Sequence, residues 1–483
     1  MTNSNFYQYN LSEEVHRAIA LLGYNNPSQV QQQVIPELLD NRDIIVKSRT
    51  GSGKTAAFGI PITELTDWME NKPQALVLTP TRELAMQVRE DIFNIGRFKR
   101  LKVAAVFGKS PFHIQEKELK QKTHVVVGTP GRIIDHIERG TIDLSNIRYL
   151  VIDEADEMLN MGFIEQVETI ISSLPRKRTT VLLSATMPTD IELLCSKYMN
   201  NAVRIEIEEQ NSTSNNIFQQ RIQTNKSEKL QLLKDILTVE NPDSCIVFCN
   251  TKQMTEALYA EMAKQKYSCS RLHGGMEQRD RQRVMEDFRQ GRFRYLIATD
   301  VAARGIDIQD ISLVINFDVP REAEDYVHRI GRTGRIGNTG KAVTFVTPDD
   351  DRLISAIHEY IRKEIEERLR PSDREVAISR EAFEQKTAKR PEIKEAKDVK
   401  LSKDIMKLHI NAGKKTKMRA VDIVGTLCNL KGMSAEDIGV INILDVSTFV
   451  EILNGKGEMV FRQLQNTPIK GRPRKVSKVE DIR

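Results

Sequence analysis

The sequence predicts an α/β protein with two tandem parallel-sheet domains followed by a smaller α+β domain. Three observations support this architecture. Short apolar runs alternate with longer amphipathic segments, the same rhythm starts again after the polar stretch Asn211–Asn216, and the last part of the chain changes to a β-α-β-β-α-β order. With 483 residues the chain is long enough for roughly three domains of ~100–200 residues each.

The first two domains are predicted from the pattern of buried strands. Runs of Val, Ile and Leu between helix-like stretches are typical of parallel strands joined by crossover helices. In the first domain, residues 1–208, the runs include 43–46, 75–78, 103–107, 125–127, 149–152 and 181–183. In the second domain, residues 217–366, they include 245–248, 295–298, 313–316 and 342–346.

The remainder of the chain is predicted to be a linker and a small α+β domain. Residues 367–400 are highly charged, and Pro371 and Pro391 interrupt any helix there, so we expect a charged linker. Residues 401–478 are expected to form an open-faced sheet with two helices behind it, before a tail at 479–483. The expected strands are 405–410, 439–444, 448–453 and 470–476, and the expected helices are 420–430 and 457–464.

Composition excludes several classes of protein. Hydrophobic residues make up 40% and charged residues 29%, which excludes disordered, collagen-like and disulfide-scaffold proteins. Cys245 and Cys249 frame an apolar run without a second half-site, so we interpret them as buried thiols rather than metal ligands. No membrane-length apolar run or secretory signal is visible, so we expect a cytoplasmic protein without membrane association.

Positive charge is concentrated near the C-terminus. The chain holds 72 Lys and Arg against 67 Asp and Glu, whereas Lys400–Arg483 alone holds 16 against 9, so the preceding part is slightly acidic. The excess lies mainly in Gly413–Arg419 and Lys470–Lys478. Such clusters attract polyanions, most often nucleic acid, and the alternative is a solvated basic tail.

A phosphate-binding loop is predicted at Thr50–Thr55. Its sequence TGSGKT follows the apolar run DIIVK and precedes a helix-like stretch, as in the end of a Walker A loop. There Lys54 would place its charge on the β and γ phosphates, and the Thr55 hydroxyl would bind Mg²⁺. Ser48 stands where the first glycine is usual, so a chance glycine turn is the alternative.

An acidic motif, Asp153–Asp156 (DEAD), follows the apolar strand YLVI. This position is the carboxyl end of a strand, where open α/β sheets bind ligands. We expect Asp153 to hold Mg²⁺ through water, and Glu154 to orient and deprotonate an attacking water. Asp156 either caps the next helix or links to the later Ser-Ala-Thr turn, and a solvated acidic turn is the alternative for the whole motif.

From Phe6 to about Glu366 the chain resembles the DEAD-box RNA helicases. The resemblance implies two RecA-like domains, hydrolysis of ATP, and Mg²⁺ as the cofactor. It also implies that Gln31 reads adenine, that Tyr24 stacks on it, and that Phe6 is the upstream aromatic. The implied ATP-binding residues are Phe6, Tyr24, Gln31, Thr50, Gly51, Ser52, Gly53, Lys54, Thr55 and Asp307.

The same resemblance implies RNA-binding and coupling residues. Ser184–Thr186 (SAT), with Asp156 and His328, would couple hydrolysis to strand separation. Arg332 and Arg335 resemble arginine fingers, so hydrolysis would require closure of the two domains. Lys109 departs from the family, which usually has a second glycine there. The implied RNA contacts of the helicase core are Pro80, Thr81, Arg82, Thr129, Gly131, Arg132, Gln278, Arg281 and Thr299.

The C-terminal domain resembles the RNA-recognition-motif-like (RRM-like) RNA-binding domain of the bacterial DbpA subfamily. That subfamily is directed to a hairpin of 23S ribosomal RNA during large-subunit assembly, so the resemblance implies 23S rRNA and pre-large-subunit particles as partners. His409 and Phe449 are candidates for base stacking, although Phe449 is alternatively a core aromatic. The basic candidates for RNA binding are Lys414, Lys415, Lys417, Arg419, Arg472, Arg474 and Lys475.

Three functions fit these features. The first is an ATP-dependent RNA helicase anchored on ribosomal RNA. The second is an ATP-gated RNA clamp or annealing chaperone with little unwinding, and the third is a DNA-remodelling ATPase. Nothing in the sequence requires an obligate protein partner or self-association, so we expect a monomer.

Overall fold

The computed structural model describes residues 5–48, 52–207, 217–300, 311–334, 339–389 and 404–479. The chain divides into two compact units. One contains the described residues up to Ile207 together with those from Asp404 onward, and the other contains residues 217–389. The predicted fold class is confirmed: the two parallel sheets and the C-terminal antiparallel sheet are all present.

The first domain is a seven-stranded parallel sheet in the order β3-β4-β2-β5-β6-β1-β7. Its strands are β1 (Ile44–Lys47), β2 (Ala75–Leu78), β3 (Val103–Val106), β4 (Val125–Gly128), β5 (Tyr149–Ile152), β6 (Thr179–Ser184) and β7 (Val203–Glu206). Its helices are α1 (Glu13–Leu21), α2 (Gln29–Leu39), α3 (Lys54–Leu65), α4 (Arg82–Ile95), α5 (Phe112–Leu119), α6 (Pro130–Glu138), α7 (Ala155–Asn160), α8 (Ile164–Ser173) and α9 (Thr189–Tyr198).

Both faces of this sheet are buried, which explains its continuous apolar strands. In β2, Ala75 and Val77 belong to the core on one face, whereas Leu76 and Leu78 belong to the core on the other. Helices therefore cover both faces, as parallel crossover connections require. The parallel strands also end at one common edge, and the candidate site residues follow them there.

The second domain repeats this plan in the order β10-β11-β9-β12-β13-β8-β14. Its strands are β8 (Ile217–Gln223), β9 (Cys245–Phe248), β10 (Cys269–Leu272), β11 (Tyr295–Ala298), β12 (Leu313–Asn316), β13 (Gly340–Val346) and β14 (Glu366–Glu367). Its helices are α10 (Lys229–Glu240), α11 (Lys252–Lys264), α12 (Gln278–Arg289), α13 (Ala323–Ile330), α14 (Asp351–Ile361) and α15 (Asp373–Ala388). Cys245 and Cys249 are buried thiols, and the described residues contain no cluster of His, Cys, Asp or Glu able to hold a metal.

Part of the segment expected to be a linker is folded onto the second domain. Ser372 begins α15 with a capping box, in which its hydroxyl accepts from the Glu375 N–H at 3.3 Å. Phe383 packs into the core beside Tyr267, with 5.9 Å between ring centroids. Pro371 lies just before the cap, so it precedes this helix rather than interrupting it.

The C-terminal domain is a four-stranded antiparallel sheet in the order β16-β17-β15-β18. Its strands are β15 (Met406–Ile410), β16 (Ile438–Ile443), β17 (Thr448–Ile452) and β18 (Val476–Lys478), and its helices are α16 (Ala420–Cys428) and α17 (Gly457–Leu464). The last strand begins later than the predicted 470–476. Lys470 and Gly471 both have positive φ and Pro473 follows them, so this stretch turns and cannot join the ladder.

In the described residues, every helix is too short or too polar to cross a lipid bilayer.

We predict that Phe383→Ala weakens the attachment of α15. Truncating a buried phenylalanine typically costs about 3–5 kcal/mol, because it removes apolar burial and leaves a cavity. The measurement is amide hydrogen exchange across residues 373–388 with denaturant unfolding. Ile378→Ala on the same helix is the control: Ile378 is 71% exposed, so its truncation is expected to shift stability by less than about 0.5 kcal/mol. Equal effects of the two substitutions would contradict the packing role.

Candidate functional site

The acidic and phosphate-loop motifs of the first domain meet at one edge of its sheet. Ser48 follows β1, Asp153 follows β5, and Ser184 ends β6. These three strands are neighbours in the order β5-β6-β1, so motifs far apart in sequence become adjacent. A backbone bond from the Ser48 N–H to the Ser184 carbonyl, at 2.9 Å, joins two of them directly.

The described part of the phosphate loop is tied to the segment that contains Gln31. The Ser28 hydroxyl donates to the Ser52 carbonyl at 2.8 Å, and the Gln31 amide Nε2 donates to the Gly53 carbonyl at 3.1 Å. Gly53 has φ +93°, and a Cβ there would lie 2.6 Å from Gln31 Nε2, so any side chain would strain the backbone and displace the Gln31 amide. Thr50 and Gly51 lie outside the described residues.

Lys54 and Thr55 begin the long helix α3, with Gly53 as its cap. The Lys54 ammonium is buried and donates to the Ser48 carbonyl at 2.9 Å. The free N–H groups of the first helical turn create a partial positive charge at the same place. This end of α3 therefore provides both a full and a partial positive charge for an anion.

Asp153 is a buried carboxylate, and the Lys54 charge and the Glu154 N–H offset part of the cost of burying its negative charge. Burial raises the pKa of the Asp153 carboxyl above its usual value, while the Lys54 charge opposes this shift and Asp156 adds to it. One carboxylate oxygen accepts from the Glu154 N–H at 3.0 Å. A divalent cation beside Asp153 would offset the cost of burying its charge.

These residues fit a magnesium ion that enters with a nucleotide. The Asp153 carboxylate and the Thr55 hydroxyl are oxygen donors, which Mg²⁺ prefers. The part of the chain that the structure describes has no larger cluster of metal-binding side chains. Mg²⁺ usually takes one or two carboxylates and completes its shell with phosphate oxygens and water, so a small protein contribution is what it needs.

Glu154 is buried at the cap of α7 with left-handed backbone angles, φ +52° and ψ +54°. A side-chain-bearing residue pays roughly 1–2 kcal/mol for this conformation. Strain of this kind persists where the surrounding structure holds a residue in place, and it concentrates at functional sites. The surrounding structure therefore holds Glu154 in one backbone conformation at the start of α7.

Asp156 connects the acidic motif to the Ser-Ala-Thr turn. Its Oδ2 accepts from the Ala185 N–H at 3.0 Å, from the Thr186 N–H at 2.8 Å, and from the Thr186 hydroxyl at 3.1 Å. Its own N–H donates to the Ser184 hydroxyl at 3.2 Å. Of the two interpretations left open by the sequence, this geometry shows the link to the turn.

The aromatic candidates occupy different environments. Phe6 is only 3% exposed and packs in an apolar cluster that includes Ile35 and Ile60. Tyr24 is partly exposed, 6.3 Å from Phe6 between ring centroids. The buried amide of Gln31 therefore contacts the phosphate loop directly, whereas Tyr24 packs against the apolar cluster that contains Phe6.

The RNA candidates of the first domain also follow its strands. Pro80, Thr81 and Arg82 come after β2, and Thr129, Gly131 and Arg132 come after β4. The Arg132 guanidinium donates to the Ser110 carbonyl at 3.0 Å, which ties it to the neighbouring loop. In that loop Lys109 adopts φ +56°, the conformation for which glycine is usual.

In the second domain, the described candidates lie after β11, on α12, on α13 and just after α13. Arg281, Thr299 and Arg332 are buried, whereas Gln278 and His328 are partly exposed. Arg332 Nε donates to the His328 carbonyl at 3.3 Å. Asp307 and Arg335 lie outside the described residues.

Arg329 is a residue that sequence reasoning missed. Its buried guanidinium forms a two-pronged ion pair with Asp300, with distances of 2.5 and 2.6 Å, and donates to the Asn250 side chain at 2.8 Å. It therefore fixes the segment after β11, where Thr299 lies, against the helix carrying His328. Arg329 lies in the motif HRIGRTGR between the candidates His328 and Arg332, and this position could have indicated its importance.

The open face of the C-terminal sheet carries His409 and Phe449. They are directly paired across β15 and β17, with 5.1 Å between ring centroids. The core takes the alternating positions Leu408, Ile410 and Val450, so Phe449 faces away from it and is not a core aromatic. His409 bonds with the Ser447 hydroxyl at 2.9 Å and has the Ser477 hydroxyl at 3.3 Å.

The structure joins the two basic segments of this domain. The Lys470 ammonium binds the Lys417 carbonyl at 2.5 Å and the Asp422 carboxylate at 2.8 Å. This link brings the chain around residue 417 next to the chain around residue 470. The predicted basic residues are exposed, except for the partly buried Arg474: Lys414, Lys415, Lys417, Arg419, Arg472 and Lys475.

Three family models match the chain. Residues 28–194 match the DEAD/DEAH box helicase model, residues 228–337 the helicase conserved C-terminal domain, and residues 407–478 the DbpA RNA binding domain. These ranges contain the phosphate loop and acidic motif, the arginine-rich motif, and the open-faced sheet with its basic segments.

Similar proteins cover most of the chain. The ATP-dependent RNA helicase DbpA of Bacillus subtilis is 58% identical over 98% of this chain and 99% of its own. The DEAD-box ATP-dependent RNA helicase CshA of Geobacillus kaustophilus is 44% identical over 77% of this chain and 80% of its own. The solved structure of S. cerevisiae Dbp5 bound to RNA and ADP BeF3 is 32% identical, with a TM-score of 0.70 over 80% of this chain and 100% of its own. The chain belongs to the DEAD-box ATP-dependent RNA helicases, in the subfamily that carries a DbpA RNA-binding domain.

Proposed function

We propose that this helicase anchors on 23S ribosomal RNA through its C-terminal domain and remodels nearby structured RNA during assembly of the large ribosomal subunit. The observation that carries the proposal is the C-terminal domain: a partly exposed His–Phe pair on the sheet face away from the core, together with two linked basic segments. Stacking side chains beside cations are the means by which proteins hold unpaired bases and the adjoining phosphates.

ATP hydrolysis is assigned to the edge of the first sheet. Lys54 and the start of α3 bind the phosphates, and Asp153 with Thr55 holds the Mg²⁺ that comes with them. The ion supplies charge neutralisation for the transferring phosphoryl group. Glu154, buried at the cap of α7, orients the attacking water and accepts its proton.

The second domain supplies positive charge to the transferring phosphoryl group. Arg332 and Arg335 act as arginine fingers, and Asp307 contacts the nucleotide ribose. Because these groups and the phosphate loop belong to different domains, hydrolysis requires both domains to act on one nucleotide. RNA and ATP then favour the same state, so their binding is coupled.

Coupling within the first domain runs through Asp156. Its three bonds to the Ser-Ala-Thr turn connect the segment carrying Glu154 to the end of β6. A shift at either segment alters the other, because the carboxylate is buried and one of its oxygens takes all three of these bonds. The protein is proposed to act as a monomer.

We predict that Glu154→Gln abolishes most RNA-stimulated ATP hydrolysis while leaving ATP binding intact. The amide keeps the shape of the side chain but cannot accept the proton, so kcat is expected to fall by about 10²–10⁴-fold. The measurement is steady-state phosphate release together with nucleotide binding. The exposed Glu165→Gln serves as the control and is expected to retain full turnover. Wild-type turnover in Glu154→Gln would refute the proposed role.

We predict that replacing Lys414, Lys415 and Lys417 with Gln flattens the salt dependence of RNA binding. Every phosphate that is no longer neutralised by a lysine reduces the slope of log affinity against log salt by about 0.7–0.9. The slope is measured by titration at several salt concentrations. Lys431→Gln, an exposed lysine away from the basic segments, is expected to change it little. An unchanged slope in the triple variant would show that these lysines are solvated and do not neutralise RNA phosphates.

We predict that Phe449→Ala removes the preference for ribosomal RNA but preserves hydrolysis with generic RNA. Loss of one stacking platform costs about 1–3 kcal/mol per base, and Phe449→Tyr is expected to retain it. ATPase stimulation is compared between a structured 23S rRNA fragment and an unrelated RNA of equal length.

Strand displacement on a duplex joined to that fragment is measured in parallel. ATP-dependent binding without displacement would favour an RNA clamp, and equal stimulation by the two RNAs in the wild type would contradict anchoring.

A further inference from the structure

The C-terminal domain and the first helicase domain contact each other within one compact unit. From the first domain, the contact uses the segment between α4 and β3, residues Arg97–Lys102, which we call the basic loop. Arg17 on α1 adds to it. From the C-terminal domain it uses β16 with the turn before it, and β17 with the turn after it.

The centre of this contact is apolar. Leu453 is 1% exposed, and it packs against Ala18 and Phe98 of the first domain in a cluster separate from the core of its own domain. Ile405 packs at the edge of the same cluster. The Arg17 guanidinium covers the Phe98 ring at 4.1 Å from its centroid. The burial of Leu453 therefore depends on the first domain.

Polar contacts surround this centre. Arg97 pairs with Glu451 at 3.2 Å, and each side chain is 11% exposed. Arg100 Nε donates to the Ile438 carbonyl at 2.7 Å, and its Nη2 donates to the Ala435 carbonyl. Two further bonds complete the set: Lys102 Nζ to Asn442 Oδ1 at 3.4 Å and Arg17 Nη2 to Asn454 Oδ1 at 2.5 Å. An apolar centre with a polar rim is the usual anatomy of a specific interface.

The charges across the contact are unequal. The first domain contributes four cationic side chains, whereas these bonds draw on a single carboxylate, that of Glu451, and otherwise on neutral oxygens. Burial, together with the nearby charges of Lys122 and Lys414, lowers the pKa of Lys102 to about 8. Phosphate oxygens bind such cations more strongly than amide or carbonyl oxygens do, so RNA is a competitor for this surface.

The contact also reaches the RNA-facing side of the small sheet. Asn442 is the register partner of Phe449, and Glu451 lies two residues further along β17. Partners across antiparallel strands and alternate residues along a strand share a face, so both lie beside the His409–Phe449 pair. Arg97 and Lys102 are thus bonded to the flank of the proposed base-stacking surface.

The nucleotide and RNA segments of the first domain stay clear of the contact. The basic loop precedes β3, so it lies at the amino end of the parallel sheet. The phosphate loop, the acidic motif and the Pro80 and Thr129 segments all follow their strands, at the carboxyl end. Docking therefore covers part of the sheet of the C-terminal domain. It leaves uncovered the helicase motifs at the opposite end of the first domain's sheet.

We propose that the basic loop is a docking site for the C-terminal domain in the RNA-free protein, and that RNA bound across the open sheet face displaces it. The second half of this statement rests on the proposed role of that face in RNA binding. The first half does not, so the two can fail separately.

Amide hydrogen exchange of the full-length protein without RNA tests the docking. Arg97→Glu places two carboxylates together, and exchange in the basic loop and around Leu453 is expected to accelerate by about tenfold. Adding Glu451→Arg restores an ion pair of reversed polarity and is expected to restore protection. Arg89→Glu, the same charge change on α4 outside the contact, is expected to leave both regions unchanged. Protection unaffected by Arg97→Glu, or not recovered by the reversed pair, would overturn the proposal.

Carbodiimide coupling provides a second, direct measurement. In Arg97→Lys, an amine replaces the guanidinium beside Glu451, and coupling is expected to yield a cross-linked peptide joining residues 97 and 451. The additional change Glu451→Gln removes the carboxylate and is expected to abolish that product. The ion pair between Lys470 and Asp422 within the C-terminal domain controls for reactivity. Coupling at this control pair without the 97–451 product would contradict docking.

A structured 23S rRNA fragment then tests displacement, with its binding to the same protein measured separately. Bound RNA is expected to accelerate exchange in the basic loop and to reduce the 97–451 product, while exchange around Phe449 slows. If RNA binds while the basic loop remains protected from exchange, the proposal that RNA displaces the loop is refuted. RNA that fails to bind would contradict the anchoring role of the sheet and its displacement of the loop, without affecting the docking result.

Discussion

The nucleotide site depends on one electrostatic constraint, the burial of Asp153 at the end of β5. A carboxylate in this position needs positive charge nearby, and the protein provides Lys54 and the first turn of α3. These groups reach it only because β5, β6 and β1 are parallel neighbours that end at one edge. The rest of the first domain, with its two buried sheet faces, holds those three strand ends in register.

Around this centre, buried charges connect motifs to one another. Asp156 holds the Ser-Ala-Thr turn through three donors, and in the second domain Arg329 holds Asp300 through a two-pronged ion pair. If the donors of Asp156 or the partner of Arg329 were lost, a buried charge would remain without compensation. This cost favours the one local geometry in which the bonds are made. The planar guanidinium matters for Arg329, since a lysine cannot make both bonds to Asp300 in a fixed plane.

The C-terminal domain applies a different principle. Its sheet is buried on one face only, so its strands alternate between core and open positions. The open positions carry His409 and Phe449 and also Glu451, which pairs with the first domain. One face can thus serve two partners of different chemistry, a cationic protein surface and an anionic nucleic acid, and charge decides between them.

Much of this was available from the sequence. The fold class, ten of the fourteen strands described in the two parallel sheets, and the positions of the phosphate-loop and acidic motifs follow from local periodicity and motif spacing, because hydrophobic alternation and glycine turns are local properties. The folded helix in the charged segment was harder to predict. Its attachment depends on Phe383 meeting Tyr267, a contact between distant parts of the chain. The displaced last strand was missed because positive φ at Lys470 is set by context rather than by residue type.

The sequence by itself determined which residue types face the core, where the phosphate loop and acidic motif begin, and where positive charge accumulates. Only the tertiary structure decided that Asp156 bonds the Ser-Ala-Thr turn, that Arg329 pairs with Asp300, and that Leu453 packs on Phe98. The physical reason is that a buried charge or an apolar side chain at the end of a strand has several possible partners along the chain. Which one it meets depends on the packing of elements that are remote in sequence.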